Sequence, residues 1–176
     1  AILGEAAADL PKNINVTGIS TDTRTLQHGN AFIALRGENF DGHNYVEQAL
    51  DNGASLVIVE QGTRDAGQGT RITSVEDTRH ALGSFAWYHR RRFEIPIIAI
   101  GGASGKTSTK ELVAHVLSQA MNVLKTEANY NNQIGTPLML LQLTREHKAA
   151  VIEIGTNEPG EIEALAAMVQ PTHGLI

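Results

Sequence analysis

Residues Gly101 to Ser108 read GGASGKTS, a run of glycines and small residues that ends in a lysine and two hydroxyls. Glycines let a backbone curl until successive N–H groups turn inward onto an anion. A helix opening directly behind such a turn adds its own unpaired N–H groups and the positive end of its dipole. In a loop of this kind Lys106 would reach the β- and γ-phosphates of a nucleotide and the Thr107 hydroxyl would ligate magnesium. Gly102, Ala103, Ser104, Gly105 and Ser108 would complete the ATP-binding set. The usual spacing G-x-x-x-x-G-K-[ST] puts its first glycine at position 100, where this chain has Ile100, so the loop is a shorter variant, G-x-x-G-K-T counted from Gly102. The plainer alternative is a glycine turn beside an exposed lysine.

A magnesium nucleotide also needs a carboxylate, because the ion keeps oxygen ligands while it bridges phosphates. Glu153 is the candidate. It ends the apolar run Ala149, Ala150, Val151, Ile152 and is followed by Ile154, where an acid is expensive to bury without a cation. Between loop and acid lies EANYNNQIGTP, Glu127 to Pro137. The amides of Asn129, Asn131 and Asn132 can bond phosphates or cap the helix that starts near Ile134, and spacing alone leaves the two uses even. Glu158, Glu161 and Glu163 read as acids that support a helix start. His80, His89, His115 and His173 have no partners at metal-ligand or catalytic spacing and read as structural.

The elements that must position these residues follow from hydrophobic pattern. Ile97 to Ile100 is a short continuous apolar run of the kind buried on both faces of a parallel sheet, and it leads straight into the glycine loop. Leu112, Val113, Val116, Leu117 and Ala120 mark a helix, Asn122 to Leu124 a strand and Ile134 to Leu143 a helix. Ala149 to Ile154 reads as a buried strand, Gly160 to Val169 as a helix and Gly174 to Ile176 as a strand cut short. Strands alternating with helices predict βαβ units, and such sheets hold ligands at the carboxyl ends of their strands. Upstream, short runs at Ala31 to Leu35 and Ser55 to Val59 lie among many glycines, with one helix near His43 to Asn52. Ala81, Leu82, Phe85, Ala86 and His89 recur at helical spacing within Asp77 to Arg92, and the closing Arg90, Arg91 and Arg92 read as a solvated face. The expected fold class is α/β: a small N-terminal domain over residues 1–94, then part of a phosphate-loop domain with a mainly parallel sheet over residues 95–176.

Composition works by exclusion. The chain has 176 residues, 41% of them hydrophobic, enough for a core. A formal net charge of −5 provides no positive field for a nucleic acid, which leaves small phosphorylated ligands. Cysteine is absent, so disulfide frameworks and thiolate metal sites are excluded. No apolar run approaches the roughly 20 residues that span a bilayer, and the start AILGEAAADLPKN lacks a signal-peptide layout. A soluble, cytoplasmic, monomeric protein is expected. Beginning at Ala1 and stopping just after a strand begins, the sequence reads as a fragment of something longer.

GGASGKTS resembles the ATP loop of the Mur ligases, whose usual form is Thr-Gly, two small residues and Gly-Lys-Thr; here Gly101 stands for the threonine. NYNNQIGTPLMLLQL, Asn129 to Leu143, and AVIEIGTNEPGEI, Ala150 to Ile162, resemble the branch that adds D-alanyl-D-alanine, except that the family generally has histidine where this chain has Glu158. STDTR, Ser20 to Arg24, and NAFIALRGENFDGHNY, Asn30 to Tyr45, resemble the domain in which that branch holds its uridine diphosphate sugar.

The resemblance implies an ATP- and Mg2+-dependent amide ligase of peptidoglycan precursor synthesis. ATP would phosphorylate the terminal carboxylate of UDP-N-acetylmuramoyl-tripeptide, and D-alanyl-D-alanine would attack the acyl phosphate. Lys106, Thr107 and Glu153 would be catalytic, with Thr107 and Glu153 on the metal. Asn131 and Asn132 would lie near the transferred phosphate or the substrate. Ser20, Asp22, Thr23 and Arg24 would contact the UDP-sugar, and Asp41, Gly42 and His43 would form or support its pocket. The resemblance further implies a carbamylated lysine, an adenine-binding stretch and a C-terminal domain, none within the chain, so the chain alone is expected to be an incomplete catalyst. The rivals are another Mur-type or folate ligase, a nucleotide-binding regulator that ligates nothing, and a UDP-sugar module. A folate ligase has no need of the STDTR and DGHNY region, a regulator needs a partner surface for which the sequence has no signal, and a sugar module has no need of an intact GKT loop. The third residue of the tripeptide and the kinetic order are not encoded in any motif.

Overall fold

The computed structural model describes residues 14–37, 40–63, 71–156 and 159–176. The chain divides into two compact units, Ala1–Ala81 and Leu82–Ile176. Each holds a sheet of four parallel strands, so the fold is mixed α/β with parallel sheets.

In the first unit the sheet order is β1 (Ile19–Ser20), β2 (Ala31–Ile33), β3 (Leu56–Glu60) and β4 (Ile72–Val75). The AFI and LVIV runs of β2 and β3 are buried throughout. After β2 a single 3₁₀ turn, Gly42–Tyr45, leads into α1 (Val46–Asp51). That helix buries Val46 and Ala49, one turn apart on one face, into a core with Phe32, Ala34, Val57 and Val59. It ends where Gly53 takes φ +89°, a left-handed position that a glycine fills without steric cost. The one helix expected here is present, preceded by the 3₁₀ turn. β1 and β4 are too short or too mixed in polarity to stand out by pattern.

In the second unit the order is β6 (Val123–Lys125), β7 (Ala149–Glu153), β5 (Ile97–Ile100) and β8 (His173–Leu175). Alternate residues of the central strands face opposite layers, as a pleat requires. Ile97, Ala150 and Ile152 pack with Leu124, Met139, Leu140 and Leu143, the last four around α4 (Gly135–Leu140) and β6. Ile98, Ile100 and Val151 pack on Ala114, Val113 and Leu117 of α3 (Lys106–Ser118). Ala99 and Ile154 meet Leu165 of α5 (Glu161–Val169). With helices on both faces the central runs Ile97–Ile100 and Ala149–Ile152 are apolar, and each fully buried aliphatic side chain contributes about 1.5–3 kcal/mol.

The compact units divide between residues 81 and 82, inside α2 (Thr78–Arg90). Ala86 packs in the core of the second unit, and His89 Nε2 lies 2.9 Å from the Leu143 carbonyl, so the later half of that helix belongs with the second sheet. The arginine triple is not a uniformly solvated face. Arg90 is buried, donating from Nε to Val169 O at 2.9 Å, from one terminal nitrogen to Phe93 O at 2.6 Å and from the other to Gln170 O at 3.1 Å. Burial lowers its pKa from the ordinary arginine value. Arg91 lies over the Trp87 ring at 4.5 Å, and only Arg91 and Arg92 are exposed.

Candidate functional site

Ile100, the last residue of β5, is in register with Glu153, the last of β7. The phosphate loop therefore leaves the sheet directly beside that carboxylate. Gly102 and Gly105 have φ of +117° and +79°, which favour glycine. Among the described residues, the N–H groups of residues 102–105 meet no acceptor in the chain, and α3 begins at Lys106 with no side-chain cap. Ala103, Ser104, Gly105, Thr107 and Ser108 are exposed. Lys106 folds back over the loop: Nζ donates to Gly102 O at 2.7 Å and reaches Thr156 Oγ1 at 3.5 Å. This is a ring of donors with a cation closing it, the chemistry of an anion cradle.

Glu153 is only 3% exposed. Thr107 Oγ1 donates to its Oε2 at 3.0 Å, and Asn131 Nδ2 donates to its Oε1 at 2.8 Å. The Glu153 backbone N–H donates to Thr126 Oγ1 at 2.9 Å. A carboxylate at the edge of the loop with a threonine hydroxyl against it is the hard, all-oxygen donor set that magnesium takes beside nucleotide phosphates. Among the described residues, no three His, Cys, Asp or Glu converge to cage a metal. That fits an ion completed by phosphates and water rather than one held by protein alone, so Thr107 and Glu153 are suited to magnesium.

The two asparagines separate. Asn131 turns its side-chain amide to Glu153, and its backbone carbonyl accepts from Gly155 N–H at 2.6 Å. Asn132 Oδ1 accepts from the N–H groups of Ile134 and Gly135 at 3.0 and 2.8 Å, capping the entry to α4. Gly135 lies so close to the Tyr130 backbone that a Cβ there would meet the Tyr130 carbonyl carbon at 2.7 Å.

In the first unit a cavity of about 600 Å3 is lined by Thr21, Asp22, Thr23, Arg24, Phe32, Phe40, Tyr45 and Gln48. The loops after β1 and β2 build it. Ser20 is buried behind them, donating to Asp22 O at 2.9 Å and accepting from Asp22 N–H at 3.2 Å. Thr23 is pinned from α1 and its end, with Oγ1 donating to Gln48 Oε1 at 3.2 Å and its carbonyl accepting from Asn52 at 2.9 Å. Arg24 pairs with Asp22 at 2.6 Å yet stays largely exposed, and its hydrogen bonds hold the Asp22 carboxyl below the usual carboxylate range.

Asp41, Gly42 and His43 form a hydrogen-bonded knot at the turn that carries Phe40 and Tyr45. The His43 ring is 4% exposed and both its nitrogens are occupied. Nε2 accepts from Glu60 N–H at 3.0 Å, which leaves the proton on Nδ1 to donate to Asp41 Oδ1 at 2.6 Å. Burial would raise the Asp41 pKa, but the His43 backbone N–H, the His43 ring and Arg36 outweigh it and lower it to about 2. A Cβ on Gly42 would meet Leu35 N at 2.8 Å, so only glycine lets this turn lie against β2's exit. The knot presents Phe40 and Tyr45, stacked with centroids 5.4 Å apart at 17°, on the cavity.

Residues 15–90 match the model of the Mur ligase family catalytic domain, and residues 100–176 match the Mur ligase middle domain. The chain belongs to the Mur ligase family. A Synechocystis sp. UDP-N-acetylmuramoyl-tripeptide--D-alanyl-D-alanine ligase is 46% identical over 97% of this chain and 38% of its own length. The crystal structure of MurF from Acinetobacter baumannii superposes with a TM-score of 0.85 at 39% identity, covering 98% of this chain and 39% of that one. A Thermotoga maritima MurF ligase solved in complex with ADP has a TM-score of 0.81 at 30% identity, covering 92% of this chain and 37% of that one. The Mur ligase chain described here thus spans well under half the length of the relatives it matches.

Several residues of this Mur ligase chain escaped a reading by residue type. Phe40 and Tyr45 flank the Asp41–Gly42–His43 motif, and their signal was an aromatic on each side of a tight turn. Thr126 and Lys110, behind Glu153, left none, since a lysine in a helix normally reads as solvated. The Glu158 position lies outside the described residues.

Proposed function

We propose that this chain is the UDP-sugar domain, residues 1–94, and the first part of the ATP-binding domain, residues 95–176, of an ATP-dependent ligase that joins D-alanyl-D-alanine to UDP-N-acetylmuramoyl-tripeptide in peptidoglycan precursor synthesis. The observation that carries the reading is the convergence of Thr107 and Asn131 on the buried Glu153 at the edge of an anion cradle. The names of the relatives supply the substrates. We place the enzyme in the cytoplasm as a monomer acting on small phosphorylated substrates, with no nucleic acid or membrane partner. A net charge of −5 agrees with the first exclusion. No helix among the described residues is long and apolar enough to cross a membrane.

Loop N–H groups from Gly102 to Ser108 and the Lys106 ammonium bind the phosphates and neutralise charge on the group in transfer. Thr107 and Glu153, steadied by Asn131, would hold magnesium, which would supply charge neutralisation on the phosphates. The terminal carboxylate of the UDP-linked tripeptide takes the γ-phosphoryl group and ADP leaves. The amine of D-alanyl-D-alanine then attacks the acyl phosphate, the carbon–oxygen bond to phosphate breaks, and an amide and inorganic phosphate result. Asp22, Thr23 and Arg24 contact the UDP-sugar in the cavity they line, with Ser20, Asp41, Gly42 and His43 holding the loops behind it. Asn132 acts on the reaction through the turn it caps.

Lys106→Ala in the full-length ligase tests the reading. Losing a cation on the transferring phosphate lowers turnover on the order of 10³-fold. Affinity for the UDP-substrate, bound by the other domain, stays near wild type. Turnover close to that of the wild type would overturn the phosphate-loop assignment.

A further inference from the structure

Lys110 is 2% exposed, among the largest fully buried side chains in the molecule, and belongs to neither binding site. It follows Lys106 by one turn of α3. An ammonium withdrawn from water costs several kcal/mol unless its partners offset it, so its contacts say what it holds. Nζ donates to Thr126 O at 2.8 Å and lies 3.0 Å from Glu111 Oε1. Glu111 also accepts from Lys125 at 2.5 Å. Lys125 first, and Lys110 second, hold the Glu111 carboxyl below its ordinary pKa, so the counter-charge persists at neutral pH.

Thr126 is fully buried just beyond β6. Its N–H donates to Val151 O at 3.0 Å, and its hydroxyl accepts the Glu153 N–H at 2.9 Å. The Glu153 carboxylate in turn accepts from Thr107, in the first turn of α3. A closed ring results: α3 through Thr107 to Glu153, through Thr126 to Lys110, and back to α3. Its two ends lie within one helical turn, so it fixes the carboxylate at the carboxyl end of β7 relative to the helix start that carries the phosphate loop. We infer that Lys110 is a positioning residue for Glu153, its buried ammonium holding Thr126 so that the end of β7 presents the carboxylate to the phosphate loop. The inference rests on the reading of Glu153 as a magnesium ligand.

The test uses the full-length ligase and two readouts. The half-saturating magnesium concentration of Lys110→Met rises by about tenfold or more, as for partners that orient metal ligands, while KM for the UDP-substrate stays within about twofold. In the nucleotide-free protein, hydrogen exchange of the Glu153 amide accelerates relative to the β5 amides. Added to Glu153→Gln, Lys110→Met brings little further change in the magnesium requirement, because both act through one group. Thr126→Val, which keeps the packing and the carbonyl that Lys110 bonds but removes the hydroxyl that accepts the Glu153 N–H, cuts the same ring at its next link, shows the same magnesium shift and stands in if Lys110→Met does not fold. A folded Lys110→Met or Thr126→Val with the wild-type magnesium requirement overturns the inference, provided Glu153→Gln shifts it. If Glu153→Gln leaves it unmoved, the magnesium reading itself fails.

Discussion

Both carboxylate oxygens of Glu153 are occupied by neutral donors, the Thr107 hydroxyl and the Asn131 amide, which orient the group without cancelling its charge. A strand-end acid that merely marked the exit into solvent would not be buried to this degree. Glu153→Gln keeps the size of the side chain but removes the charge and one of its two acceptors. In the full-length ligase, activity falls at low magnesium and recovers in part as magnesium is raised, since the hydroxyl and phosphate ligands remain. A magnesium titration of initial rates checks this. A variant whose loss follows only its unfolded fraction, with an unchanged metal requirement, would return Glu153 to a structural role.

At the scale of elements, the loops after parallel strands do the positioning, and each is tied down from behind. The turn after β2 is anchored by Asp41, which accepts from the His43 N–H at 3.0 Å, from the His43 ring and from Arg36 Nε at 3.0 Å. These contacts lower its pKa from 3.8 to about 2. For a carboxyl depressed in the folded state, the linked stability is complete above the unfolded value and is lost as pH falls through the folded one. The stability difference between wild type and Asp41→Asn should therefore hold steady near neutral pH and narrow as pH drops from about 4 to about 2. Thermal melts followed by circular dichroism at closely spaced pH values measure it. A gap that stays constant across that window would show that the carboxylate's charge does not hold the turn.

At the scale of the molecule, two compact units each carry a parallel sheet with loops at the carboxyl ends of its strands, the place where such sheets hold ligands. Among the described residues, those lining the cavity of the first unit lie between Thr21 and Gln48, so on the proposed reading the 176-residue chain binds UDP-N-acetylmuramoyl-tripeptide by itself. On the same reading ATP-magnesium is expected to bind it more weakly than the full-length ligase, and ligation to be undetectable, because the chain spans 38% of the length of the Synechocystis relative, and contacts to the base and positioning of the amine need more than a phosphate loop. Calorimetry with each ligand and a phosphate-release assay on one preparation examine all three. A folded chain that does not bind the UDP-substrate refutes the assignment of the first unit, and product from D-alanyl-D-alanine refutes its incompleteness as a catalyst.

What residue order alone determined is the central machinery of the second unit. The runs IIAI and AAVI are apolar over their whole length because a parallel strand covered on both faces has no solvated side, and so they could be read as strands leading to one edge. The glycine loop and its lysine were legible for the same reason, since their chemistry is contiguous in sequence. Tertiary structure decided whatever depends on partners far along the chain. Asn131 and Asn132 are adjacent and alike, and only the proximity of Glu153 to one and of the α4 entry to the other separates them. Arg90 is buried because the carbonyls of Val169 and Gln170 reach it, and Lys110 because the Thr126 carbonyl does. The division within α2 is invisible locally, because a continuous helix has one periodicity whichever core its halves join. Burial of a polar group depends on acceptors that folding brings from elsewhere, and no window of neighbouring residues contains them.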